Sequence, residues 1–152
     1  MAGPVVIAVV NHKGGCGKTT TAVNLGAALA MGNEEYGIQP RKILMIDLDP
    51  KGNIATTFGV DKKSLGATMN ELFKAGIDGP EVRIEECIIG PQQLTKSMKE
   101  AFVRQNPERK RGPPKGLEID NLWLLPADLD LAGIEIDLAS QIVRNNFFIY
   151  EF

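Results

Sequence analysis

Apolar residues along this chain gather in a few short runs, and the spacing within each run predicts the element it forms. The first, Val5 to Asn11, opens with Val5, Val6, Ile7, Ala8, Val9 and Val10, a continuous and β-branched stretch of the kind buried in a parallel sheet. A polar, glycine-rich turn follows. From Thr19 to about Met31 the residues Ala22, Val23, Leu25, Gly26, Leu29 and Ala30 recur at helical spacing, and Gly32-Asn33 supplies the stop. Arg41 to Asp49 (RKILMIDLD) predicts a second buried strand, this one ending in two carboxylates. Ser64 to Ala75 predicts a short helix capped by Ser64, with Leu65, Met69, Leu72 and Phe73 near one face. Val82 to Ile89 mixes apolar and charged residues and fits either an edge strand or a short helix. Leu117 to Ala127 predicts a third strand ended by Pro126, after which Asp128 is placed to cap another helix. Strands that alternate with helical runs predict an α/β fold, doubly wound around a mostly parallel sheet.

Between those last two strand predictions, residues 90–116 change character. The first part, QQLTKSMKEAFVRQ, has helical composition, and the second, NPERKRGPPKG, is rich in Pro, Gly and basic residues. From Lys96 to Lys115 there are seven Lys or Arg against Glu100 and Glu108. Arg109, Lys110, Arg111 and Lys115 are therefore candidates for a DNA-phosphate contact. A solvated loop with no partner has the same composition, so both readings stand.

Length and charge narrow the class. The chain is 152 residues, enough for one domain and too few for two, with 43% hydrophobic and 24% charged residues, as in ordinary globular proteins. A net charge of -2 gives no global case for nucleic-acid binding, so any such case is local. No apolar run reaches the length of a membrane span and no basic-then-apolar leader is present, which makes the expectation cytoplasmic, with no membrane partner. Cys16 and Cys87 form neither a metal-like spacing nor a disulfide framework.

The chemistry concentrates in the turn after the first run. Strand, glycine loop and helix, with Lys18-Thr19 at the helix start, is the layout of a phosphate-binding P-loop. Gly14, Gly15 and Gly17 let the backbone curl so that successive N–H groups point inward, and the helix N-terminus adds its own unpaired N–H groups and positive dipole end. Lys18 would meet the β- and γ-phosphates, and the Thr19 hydroxyl a Mg²⁺ ion. Asp47 and Asp49 fall on one side of an extended strand at its carboxyl end, where ligands of open α/β sheets collect.

The loop reads Lys13-Gly-Gly-Cys-Gly-Lys18-Thr-Thr20, with His12 where the general P-loop pattern has glycine and with an additional early lysine. This deviant Walker A signature, within NHKGGCGKTTTAVNLGAALA, resembles the ParA/Soj/MinD family of partition ATPases. DLDPKGN resembles the family's D-x-D-P-Q-G-N switch segment, with Lys51 in place of Gln, and LWLLPADLDLAGIEIDL resembles its L-x-L-L-P-A segment. The resemblance implies ATP and Mg²⁺ as cofactors, with ATP held by Lys13, Gly14, Gly15, Cys16, Gly17, Lys18, Thr19 and Thr20. It implies Lys13, Lys18 and Asp49 as catalytic residues, Lys13 reaching across a dimer to the partner's nucleotide. Thr19, Asp47 and Asp49 would serve the metal shell, with Asp47 in support, and Glu135 would be scaffold or dimer surface. A homodimer with ATP, non-specific DNA, a ParB-like centromere-binding protein and a nucleoid-associated cytoplasmic location are the implied partners and place.

The resemblance also implies a boundary. The family's Walker B strand would follow, lying between the P-loop strand and the strand that ends in Asp49, so the expectation is the N-terminal part of a single P-loop ATPase domain, residues 1–152, with a basic loop insertion at 90–116. Without that strand, both neighbours would show unpaired backbone groups and an uncovered apolar face. Other users of the deviant loop stay open: a MinD-type regulator, an anion-pump ATPase, a nitrogenase-iron-protein relative, or a non-hydrolysing nucleotide- or DNA-binding fragment.

Overall fold

A computed structural model describes residues 3–77 and 79–134. Its centre is a parallel pair, β1 (Ile43–Ile46) and β2 (Leu122–Leu125), in register Ile43 with Leu122 through Ile46 with Leu125. Ile89 joins the far side of β2 by a single antiparallel bridge to Leu124, its N–H and C=O both bonded at 2.8 and 3.0 Å. The helices are α1 (Lys18–Met31), α2 (Asn53–Thr57), α3 (Met69–Ile77), α4 (Ile84–Cys87) and α5 (Pro91–Gln105), with a 3-10 turn at Lys62–Ser64. An α/β arrangement of helices on a parallel sheet is what the alternating pattern predicts.

The core forms where β2 is covered. Leu122, Leu124 and Leu125 are buried together with Met45, Ile54, Phe58, Leu94 and Ile119, while Ala22, Val23 and Ala27 of α1 pack against this cluster. Gly26 is the point of closest approach: a Cβ there would stand 3.1 Å from the Met45 sulfur. The helix lies that near because small residues face the strand.

Three sequence expectations are corrected. Val5–Asn11 carries no strand pairing, and Val5, Val6 and Val10 are more than four-fifths exposed. A strand needs a ladder partner, and among the described residues none lies beside this one. The open side of β1 shows the same lack of cover, for Leu44, Ile46 and Leu48 are exposed while Met45 and Asp47 between them are buried. Second, Ser64 does not cap the helix after it; α3 begins at Met69, and Thr68 caps it. The Thr68 Oγ1 accepts the Asn70 N–H at 3.2 Å, and the Glu71 carboxylate accepts the Thr68 N–H at 2.7 Å, a capping box. Third, the predicted strands shorten, Arg41–Asp49 to four residues and Leu117–Ala127 to four, because a strand extends only as far as its partner. The helix α5, Pro91–Gln105, which buries Leu94 and Ala101, is the one that the composition of QQLTKSMKEAFVRQ predicts.

Val82–Ile89 resolves into the short helix α4 followed by the Ile89 bridge. Asp128 does cap, its Oδ1 accepting the Asp130 N–H at 2.9 Å as a helical turn opens at Leu131. Glu135 lies outside the described residues.

Candidate functional site

The glycine loop has the backbone its composition requires. Asn11 Oδ1 accepts the Lys13 N–H at 2.8 Å and starts the turn. Gly15 (φ 71°) and Gly17 (φ 89°) adopt left-handed conformations that disfavour any side chain. At Gly14, Gly15 and Gly17 there is open space where a Cβ would stand, so the loop forms a cradle accessible from solvent. Gly17 is the N-cap of α1, with no side-chain cap and no acidic residue in the first turn. The first N–H groups of α1 thus point outward unneutralised beside the loop, the arrangement that receives an anion. Lys18 leads the helix and donates from Nζ to the Lys13 carbonyl at 3.4 Å, while Thr19 beside it is half-buried and Cys16, Thr20 and Lys13 are exposed.

The direction of α1 relates this cradle to the carboxylates. Its last turn sits at the beginning of β2, where Asn121 Nδ2 donates to the Ala30 carbonyl at 3.4 Å. The helix therefore runs antiparallel to the strands. Its N-terminal end, carrying Lys18 and Thr19, lies toward the strands' carboxyl ends, where β1 passes into Asp47 and Asp49. α1 also packs on α2, the helix that leaves the Asp49 turn.

That turn is held from three sides. Asp47 is buried at 4% exposure, and both its oxygens accept backbone N–H groups, Oδ1 from Asp49 at 3.0 Å and Oδ2 from Ile54 at 3.2 Å. Burial pushes the Asp47 carboxyl above its ordinary value; the Asp49 and Ile54 N–H groups draw it back, the Asp49 charge adds to the rise and Lys62 opposes it. Asp49 Oδ1 accepts the Lys51 N–H at 3.0 Å, leaving its second oxygen without a hydrogen-bond partner among the described residues. Gly52 (φ 56°) presses its Cα against Ala127: a Cβ there would meet the Ala127 carbonyl oxygen at 2.4 Å. From the 3-10 turn, Lys62 Nζ donates to the Lys51 carbonyl. Asp47 is thus a support for the turn, and Asp49 is the carboxylate free to act outward.

Donor chemistry fits magnesium. The hydroxyl of Thr19 and the Asp49 carboxylate are hard oxygen ligands of the kind that Mg²⁺ takes in ones and twos, with water and phosphate filling the rest. Among the described residues no three His, Cys, Asp or Glu side chains converge on a common point, as a dedicated protein cage would need.

Other predicted residues lie elsewhere. Arg109, Lys110, Arg111 and Lys115 are exposed on the loop after α5, and among the described residues no hydrogen bond ties them to the cradle. Sequence reasoning missed α2, and it missed Gly52 and Lys62 as supports of the Asp49 turn. For Gly52 the D-P-K-G spacing was a signal of a tight turn. For Lys62 there was none, since its contact spans 11 residues and depends on the fold. Among the described residues no helix is long and apolar enough to cross a membrane.

Comparison with known proteins shows the family. A family model described as an AAA domain matches residues 5–152. The chain is 32% identical over 140 residues to the chromosome partitioning protein ParA of Caulobacter vibrioides, covering 92% of this chain and 38% of that protein. It is 30% identical over 139 residues to the sporulation initiation inhibitor protein Soj of Bacillus subtilis, covering 91% of this chain and 40% of that one. Among solved structures, cobyrinic acid a,c-diamide synthase from Mycobacterium smegmatis, with ATP analogue and magnesium bound, superposes with a TM-score of 0.54 at 28% identity, over 86% of this chain and 37% of that chain. The chain thus spans well under half the length of these relatives.

Proposed function

The chain belongs to the AAA-domain family and is of the ParA/Soj ATPase type, and we propose that it forms the nucleotide-binding part of an enzyme that binds Mg-ATP, dimerises with it, hydrolyses it and partitions DNA. The observation that carries this reading is the shared end of the sheet: the open glycine cradle with Lys18 and Thr19 at one side, the Asp49 turn at the other. Magnesium, when bound, would offset phosphate charge and orient the γ-phosphate for in-line attack by water.

The residues divide the work. Main-chain N–H groups from Gly14 to Thr20 hold the phosphates, with Cys16 contributing backbone alone. Lys18 and Lys13 counter the charge that develops on the transferred phosphoryl group, Lys13 from the partner subunit of an ATP-bound dimer. Thr19 would hold the metal. Asp49 would orient the attacking water or the metal's hydration shell, and Asp47 would keep the Asp49 turn in place. Assembly of the dimer would create a surface for non-specific DNA, and a ParB-like centromere-binding protein would trigger hydrolysis and release, in the cytoplasm on the nucleoid.

The test is ATP turnover by the full-length protein and by its Lys18→Ala variant. Loss of the cradle's charge should lower turnover by about 10²-fold or more. Wild-type turnover no higher than that of the variant would sink the reading and leave a nucleotide- or DNA-binding module.

A further inference from the structure

We propose that the C-terminal end of α5 and the loop folded back along it, residues 104–115, form a contact surface for the phosphate backbone of duplex DNA. The inference rests on the partition reading only for the choice of DNA among polyanions; the surface itself is a feature of this chain's own folding.

The loop is built onto the helix step by step. Asn106 ends α5 by donating from Nδ2 to the Phe102 carbonyl at 2.8 Å and from its N–H to the Val103 carbonyl at 3.2 Å. The Arg109 N–H then bonds to the Asn106 carbonyl at 3.1 Å, and this turn sets the Arg109 guanidinium 5.1 Å from the centre of the Phe102 ring. Pro113 next lines an open cleft with Lys99, Glu100, Val103 and Arg104 of α5. Finally Glu118 accepts from Lys99 Nζ at 2.6 Å. Contacts at 109, 113 and 118 thus retrace the helix toward its start. Pro107, Pro113 and Pro114 reduce the freedom the loop has left to lose on binding.

The cations along this stretch differ in how they are engaged. The cations nearer the start of α5 are engaged, Lys96 with Glu100 and Lys99 with Glu118. Arg104, Arg109, Lys110, Arg111 and Lys115 form no ion pair among the described residues, and all five are exposed, with Glu108 the one carboxylate among them. A helix C-terminus attracts cations on its own account, which explains Arg104 and Arg109. It does not explain Lys110, Arg111 and Lys115, which lie beyond the reach of the last turn. A guanidinium stacked on a ring also keeps its N–H edges free for bidentate contact with phosphate. Uncompensated cations gathered this closely along the chain fit a partner with closely spaced negative charge.

The experiment measures the affinity of full-length protein for a short random-sequence duplex by fluorescence anisotropy across a salt series. Replacing Arg109, Lys110, Arg111 and Lys115 together by Ala should weaken binding and flatten the slope of log K against log salt by about 3 to 4, at roughly 0.9 for each phosphate no longer neutralised. A second variant, Arg109→Lys with Arg111→Lys, keeps the charge and should keep the slope. An unchanged slope in the Ala variant overturns the proposal. So does a loss confined to vesicles of anionic phospholipid, which would assign the surface to a membrane. Binding of a fluorescent ATP analogue, followed in parallel, shows whether the nucleotide reading stands independently of this result.

Discussion

Substituting Gly52 by Ala tests whether the Asp49 turn is held by its fit against the segment before Asp128. Two costs enter. The residue sits at φ 56°, ψ 41°, and a Cβ in the left-handed region costs about 1–2 kcal/mol. The new Cβ would also stand 2.4 Å from the Ala127 carbonyl oxygen, well inside contact distance, so either the turn or the buried Ala127 backbone must shift. Overpacking of that kind costs about 1–3 kcal/mol more. The sum, about 2–5 kcal/mol, is a large share of the 5–15 kcal/mol typical of a domain. Gly116 supplies the control, because it too has positive φ (88°) but has open space where the Cβ would go. Gly116→Ala therefore carries the conformational cost alone, about 1–2 kcal/mol. Chemical denaturation of both variants of the full-length protein separates the terms, and ATP turnover reports on Asp49. Gly52→Ala should lose the additional 1–3 kcal/mol, to the same approximation, and turnover should fall with it. Equal losses in the two variants would refute the reasoning, since the Ala127 contact would then contribute nothing.

Two further outcomes follow from the same neighbourhood. Lys62→Met removes the bond to the Lys51 carbonyl while keeping the aliphatic stem, and should lower kcat with little change in KM for ATP, whereas Lys62→Arg should retain most of the rate; equal kinetics in Lys62→Met and wild type would show that this bond does not position the turn. Glu71 tests pH linkage: desolvation raises its pKa, but the Thr68 hydroxyl and N–H, its own N–H and the Asn70 amide outweigh it, and the net direction is down. A lowered carboxylate stabilises the fold fully above its unfolded value and loses that contribution as pH falls through its folded value. Denaturation midpoints followed into acid should therefore drop more shallowly in Glu71→Gln than in wild type, and parallel acid limbs would contradict the assignment.

What was legible in the sequence is what the chain decides locally. Gly15 and Gly17 need left-handed backbone wherever they are placed, and Lys18-Met31 is helical by composition and spacing, so the cradle could be read directly. Asp128 as a cap was legible for the same reason. Thr68 was not, although Thr68 and Glu71 carry the capping-box spacing, because the apolar residues Leu65 and Met69 drew the predicted start toward Ser64. The supports of the Asp49 turn were illegible for a different reason. Lys62 reaches Lys51, and Ala127 meets Gly52, only once β1 and β2 are side by side. The Thr68 hydroxyl adds a third such link, lying 2.7 Å from Glu71 Oε2 and 2.8 Å from Asp128 Oδ2, so that two helix starts 60 residues apart share one group.

Val5 to Val10 shows the limit of pattern reading most clearly. A continuous β-branched run states that both faces of a segment are to be covered, since each large apolar side chain left in water forgoes about 1.5–3 kcal/mol. It does not state by what. Among the described residues the cover is absent, and the run is exposed even though the loop it feeds has left-handed backbone at Gly15 and Gly17. The open side of β1, with Leu44, Ile46 and Leu48 exposed, carries the same unmet demand. These two surfaces flank the cradle, one leading into the glycine loop and the other into the Asp49 turn. The parts of the site set by local chemistry are thus in place, while the distance between its two halves depends on contacts that local chemistry does not supply. Glycine conformation suffices to shape the loop that leads into α1, whereas bringing Asp49 to a fixed distance from Lys18 and Thr19 requires the sheet between them to be rigid.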